Sequence, residues 1–138
     1  MASEVLVQAV KQIMSLARSG KAEEAYDAYR ALFADPAFTS NPPDDQRRVL
    51  NLMVHAKKQG NMPPAHVIEA HRAAIPPLTE LAAAYGEPAD FEMLGLCQVM
   101  VGDEAAASTS FKAGLHIERE RNPQSNLCGA LMKWVASV

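Results

Sequence analysis

Aromatic residues make up only 6 % of this 138-residue chain, and neither sign of charge prevails, with 13 basic against 16 acidic residues and a net charge of −3. No stretch alternates apolar and polar residues cleanly, which argues against half-buried strands and for helices. The small, slightly negative charge cannot supply the positive field that a nucleic-acid backbone requires, so no nucleic-acid partner is expected. Long apolar runs are also missing. The stretch 93–101 is interrupted by Gly95 and Gln98 and is far too short to cross a bilayer, so membrane insertion is not expected. The opening residues carry an acid at Glu4 and no basic region before an apolar core, unlike a signal peptide. With two cysteines, Cys97 and Cys128, free thiols in a reducing compartment are expected rather than a disulfide, and the expected location is cytoplasmic.

What the chain does have is helical periodicity punctuated by glycine and proline. Leu6, Ala9, Val10, Ile13, Leu16 and Ala17 predict a helix over about 3–18 with Ser3 as N-cap, ended by Gly20. A second, over about 22–34, puts Ala22, Ala25, Tyr29, Leu32 and Phe33 on one face. Residues 35–43, with Pro36, Pro42 and Pro43, read as a connector, and Asp44 or Asp45 as the cap of a third helix over about 45–59, stopped by Gly60. A fourth helix is expected over 63–74. Pro76 and Pro77 break the chain, and a short fifth helix covers about 77–85. Residues 88–101, apolar on nearly every side, predict a central helix. The turn Gly102-Asp103, a helix to Arg121, and a last helix over 124–137 with Leu127, Cys128, Leu131, Trp134 and Val135 in one stripe complete the reading.

One pattern occurs twice. Phe91, Leu94, Gly95, Gly102, Ala107, Phe111, Gly114 and Leu115 form F-x-x-L-G-x6-G-x4-A-x3-F-x2-G-L, and Gly20, Ala25, Tyr29 and Leu32 repeat its second half. This resembles the tetratricopeptide (TPR) repeat, in which two helices meet at a glycine turn and a small residue lets their backbones approach. The likeness covers 91–119 most fully and 5–34 in part. It is least over 46–74, where Gly60 and Ala65 keep the spacing but Glu69 stands in the aromatic's place. The turn glycines lie about 40 residues apart, longer than the roughly 34-residue family period. The resemblance implies a single all-α domain over 1–138, a TPR-like α-solenoid of stacked antiparallel hairpins at about 3–34, 45–74 and 88–121. The helix 124–137 would be its capping helix.

It also implies a function, that of a non-catalytic adaptor binding another protein through the concave face built by the first helix of each hairpin. Matched on the glycine turns, the partner-binding groove comprises Val7, Val10, Met14 and Arg18, then Arg47, Leu50, Val54, Lys57 and Lys58, then Glu92, Leu96, Val99 and Met100. An apolar groove with a basic edge suits a peptide or helix segment. The carboxylate clamp of chaperone-tail-binding relatives is not expected, since Val10, Met14, Ala89 and Met93 stand in its places. The alternatives are a small TPR-type chaperone holding one client protein and a self-associating structural subunit, a homo-oligomer. No enzyme activity, cofactor or metal is expected. His66 and His71 are five apart rather than four, so His55, His66, His71 and His116 read as solvated or snorkelling side chains. Cys97 and Cys128 sit in apolar stretches and read as structural. Trp134 reads as a buried anchor of the cap helix, and 118–121 as a solvated helix end.

Overall fold

The Ser3 hydroxyl accepts the Leu6 N–H at 3.1 Å and starts helix α1, Glu4–Arg18. In the computed structural model, which describes residues 3–58 and 62–138, every regular element among those residues is helical. After α1 come α2 (Ala22–Ala34), a 3-10 helix (Pro36–Ser40), α3 (Pro43–Val54), α4 (Ala65–Tyr85), α5 (Pro88–Met100), α6 (Glu104–Arg121) and α7 (Asn126–Ser137). Gln59 and Gly60, expected at the end of the third helix, lie outside the described residues.

Two helix pairs share one turn. Gly20 at φ +76° and Gly102 at φ +85° occupy the left-handed region that glycine enters without strain. At the first turn the Lys21 N–H donates to the Leu16 carbonyl and the Gly20 N–H to Ala17; at the second, Asp103 donates to Gln98 and Gly102 to Val99. These are the same paired bonds of a Schellman C-cap, which satisfy carbonyls that a helix end otherwise leaves open. Five residues after each glycine comes a buried alanine, Ala25 or Ala107, and four later a buried ring, Tyr29 or Phe111.

By its contacts the chain divides into two compact units, Met1–Pro77 and Leu78–Val138, where the sequence suggested one stack. In the first, α1 packs on α2, and rings form a ladder: Tyr26 to Tyr29 at 6.1 Å, Tyr29 to Phe33 at 5.8 Å, Phe33 to Phe38 at 5.2 Å. In the second, α5 packs on α6 and α6 on α7 around Ala107, Phe111, Leu115, Cys128 and Leu131. Gly95 lets α5 and α6 close, because the Phe111 ring occupies the space where a Cβ on Gly95 would sit. Gly114 receives Phe91 and the Pro88 carbonyl in the same way.

The connector over 35–43 interrupts the α-helices, as expected, and carries a 3-10 helix; two other expectations need correction. Asp35 caps the 3-10 helix through the Ala37 N–H at 2.9 Å, Phe38 is 1 % exposed, and Gln46 Nε2 donates to the Thr39 and Asn41 carbonyls at 3.2 and 2.7 Å. Helix α3 starts earlier than expected, at Pro43, and stops at Val54, because Lys58 Nζ folds back onto the Met53, Val54 and Ala56 carbonyls at 2.9–3.1 Å and closes its end. The proline pair does not break the chain, so the expected helices 63–74 and 77–85 are one, α4. Prolines at 76 and 77 remove the N–H donors that the Arg72 and Ala73 carbonyls would receive. Yet Val67, Ala70, Ala74, Leu78, Leu81 and Ala82 keep a buried stripe at helical spacing on both sides of them. Burial along that stripe outweighs two missing bonds, and the boundary between the units falls at this point.

Two helical glycines should respond oppositely to alanine. Gly95→Ala would drive a methyl group into the Phe111 ring and should lower the stability by about 1–3 kcal/mol. Gly129, in α7, has nothing within 4 Å of the place where a methyl group would stand, so Gly129→Ala should gain about 0.5–1 kcal/mol. Chemical denaturation of both variants checks the pair, and equal midpoints would contradict this packing of α5 on α6.

Candidate partner-binding surfaces

The expected groove residues divide sharply. Leu50 and Val54 are 0 % and 6 % exposed and belong to the core of the first unit, so they cannot serve as open anchors. The matched repeat located them on the first helix of a hairpin, but α3 turns that face inward. Lys58 is committed to the end of α3, and Arg47 pairs with Asp44 at 3.0 Å. Glu92 is buried and accepts the Trp134 indole N–H at 3.2 Å. Arg18 and Lys57 are exposed, and Val7, Val10 and Met14 are half-buried on α1.

On α5 the outcome is different. Leu96 and Met100 are half-buried and Val99 is 41 % exposed, with Ala89 exposed two turns before Leu96. The same helix encloses Asp90 fully and buries Glu92, one turn before Leu96, along with Met93, Leu94 and Cys97. An ordinary surface helix buries its apolar stripe and exposes its acids. Here two acids are enclosed together with Met93, Leu94 and Cys97, while Ala89 and Val99 are exposed. Leu96 leans on the Phe111 cluster, which orients this apolar strip. A further polar contact inside the hairpin joins Ser110 Oγ, as donor, to Gln98 Oε1 at 2.6 Å.

Helix α7 is held by its cap and its tryptophan. Ser125 accepts the Cys128 N–H at 2.9 Å and donates to Glu118 Oε2 at 2.7 Å, so Glu118 is not simply solvated. Arg121 at the end of α6 reaches Glu87 at 3.2 Å, tying it to the start of α5. Trp134 stacks on Phe111 with 6.1 Å between centroids and is half-buried, not fully enclosed as its sequence context suggested. Its truncation should therefore cost less than the roughly 3–5 kcal/mol of a fully buried aromatic.

The histidines also divide. His55 and His116 are exposed, and His116 lies 3.7 Å from Glu120. His66 packs on Tyr26 at 5.7 Å. His71 overturns the expectation of a solvated side chain: it is 1 % exposed, and burial pulls its imidazole down to about 4, an effect that its bond to the Val67 carbonyl opposes and the Lys58 charge reinforces. Burial likewise pushes the Tyr26 hydroxyl up and, with Tyr26 beside it, the Tyr29 hydroxyl to about 12. Cys97 and Cys128 are buried thiols. Among the described residues no three His, Cys, Asp or Glu side chains gather as a metal site, and no helix is long and apolar enough to cross a membrane. Neither protein-family models, nor curated proteins, nor solved structures match the chain.

Sequence reasoning missed the buried polar set Asp90, Glu92 and His71. Only the position of Asp90 and Glu92 within an otherwise apolar helix could have marked them. Trp134→Phe keeps the ring stack but deprives the Glu92 carboxylate of one donor, and should lower stability by about 1–3 kcal/mol. Thermal denaturation of Trp134→Phe alone and with Glu92→Gln checks this; the second change should recover part of the loss.

Proposed function

We propose that the chain is a TPR-like hairpin protein of the cytoplasm that binds a peptide or helix segment of another protein and performs no catalysis. The observation that carries the reading is the face of α5 on which Val99 stands 41 % exposed beside the half-buried Leu96 and Met100. Apolar side chains left partly in water along one helix face suit a surface that a partner covers. The shared glycine turn of α1–α2 and α5–α6, with alanine and ring at the same spacing, supports the repeat reading. So does the Trp134–Glu92 bond, since a hairpin stack brings successive first helices side by side and this bond joins α7 to α5.

The contact residues are thereby reduced to those the structure leaves open. In the second unit these are Leu96, Val99 and Met100 on α5; in the first, taken by itself, they are Val10, Met14 and Arg18 on α1 and the exposed Lys57. Methionine suits such a surface because its flexible thioether adapts to different shapes. Exposed Val5, Leu52 and Met132 favour a second reading, self-association through uncovered helices, which sedimentation over a concentration series would detect. A chaperone holding one client would instead yield a single captured protein.

Because Val99 contributes little to the core, Val99→Glu should fold normally and lose about tenfold or more in partner capture, as expected when a charge enters an apolar contact. Lys57→Ala should weaken capture in a salt-dependent way, since rim charges act chiefly on association. Affinity capture from the native cell, read by mass spectrometry, checks both. Two well-folded variants that retain every captured protein would end the proposal.

A further inference from the structure

His71 is the one histidine enclosed by the fold, and its surroundings make it more than a packing residue. It sits on the buried side of α4. Its Nδ1 lies 2.7 Å from the carbonyl of Val67, one turn earlier. A carbonyl can only accept, so Nδ1 carries the hydrogen and the neutral ring has its lone pair on Nε2. A proton can therefore be taken up only at Nε2, inside the fold.

The charge that acts on this ring comes from another part of the chain. Lys58 follows α3 and is fixed by three backbone carbonyls, Met53, Val54 and Ala56, so its ammonium cannot swing away without opening the end of α3. On α4 itself Glu69 is paired with Arg72 at 3.4 Å, and His66 lies against Tyr26. His55 caps the end of α3 and is exposed. Protonation of His71 would thus place a second cation in a buried site near an immobilised first one, and burial disfavours the charged form.

We propose that His71 and Lys58 form an acid-operated latch: uptake of a proton by the His71 ring releases the packing of α4 against its surroundings in the first unit and frees the Lys58-capped end of α3. The direction follows from linkage. A histidine whose folded-state affinity for protons lies below its unfolded value adds stability that is complete above about pH 6.5 and is lost as pH falls toward 4. At pH 4 the opening equilibrium should have risen on the order of a hundredfold from this residue alone. The second unit has no part in the latch.

Hydrogen exchange by mass spectrometry between pH 7 and 4, corrected for intrinsic rates, tests it. Residues 43–58 and 65–77 should lose protection on acidification while α5–α7 keep theirs, and His71→Gln should abolish this pH dependence. Equal loss in α5–α7, or an unchanged profile in His71→Gln, would overturn the proposal. Should His71→Gln fail to fold, the wild-type imidazole resonance decides, since a midpoint near 6.5 rules the latch out. Lys58→Met supplies the remaining control: with the fixed cation gone the His71 midpoint should rise, and an unmoved midpoint would refute the pairing.

Discussion

The second unit rests on the approach of the Phe111 ring to Gly95. Any side chain at position 95 would have to displace that ring, so the absence of one sets how near α5 and α6 can lie. Everything downstream uses that proximity. With Phe111 seated over α5, its other side is open to stacking by Trp134, and the indole is then directed so that its N–H meets Glu92. The bond from α7 back to α5 thus depends on a hydrogen atom two helices away. Ala107 and Gly114 serve the same end at other heights of the hairpin, one fully enclosed and the other receiving Phe91. Small residues set the distance and aromatic residues fill what remains.

The first unit begins from the same turn and solves the packing differently. Counted back from the turn glycine, the place of Gly95 is taken by Ile13, a buried branched side chain where the second hairpin admits a ring. Tyr29 is instead part of a run of rings that passes through Phe33 to Phe38, out of α2 and into the 3-10 helix. That is why the connector is not free. Phe38 needs a fixed backbone beneath it, and the side-chain amides of Asn41 and Gln46 supply it through bonds to the Phe38, Thr39 and Asn41 carbonyls. A shared turn therefore specifies how two helices meet, whereas the residue seven before the glycine decides what lies between them.

The parts of this fold that depend on local chemistry were legible in the sequence. The Ser3 cap, the Gly20 and Gly102 turns and the Pro88 start need only neighbouring residues, and each stands at its expected position. What escaped depends on distant partners. Proline reads as a breaker because locally it is one, yet α4 continues through Pro76 and Pro77 because its buried stripe resumes in phase beyond them. Lys58 reads as a surface charge because nothing in the sequence says that α3 ends four residues before it. Leu50 and Val54 read as groove anchors because a repeat alignment assigns a face by position, whereas burial assigns it by what packs there. The open strip of α5 was legible in part: Leu96, Val99 and Met100 were expected on an exposed face, but the enclosure of Asp90 and Glu92 was not expected.

Of those acids, Glu92 bears on how the strip is bounded. Enclosing a carboxylate carries a desolvation penalty that donors must offset, and Glu92 has one in the Trp134 indole. Glu92 stands one turn before Leu96 and two before Val99, so its bond to the Trp134 indole occupies the N-terminal part of the face on which those residues lie. Gly95, turned toward Phe111, stands one turn before Val99, so the close contact with α6 fixes where that face lies. The helix is thus held by its glycine in an orientation that buries Met93, Leu94 and Cys97 and leaves Val99 in water, where the proposed partner contact uses it.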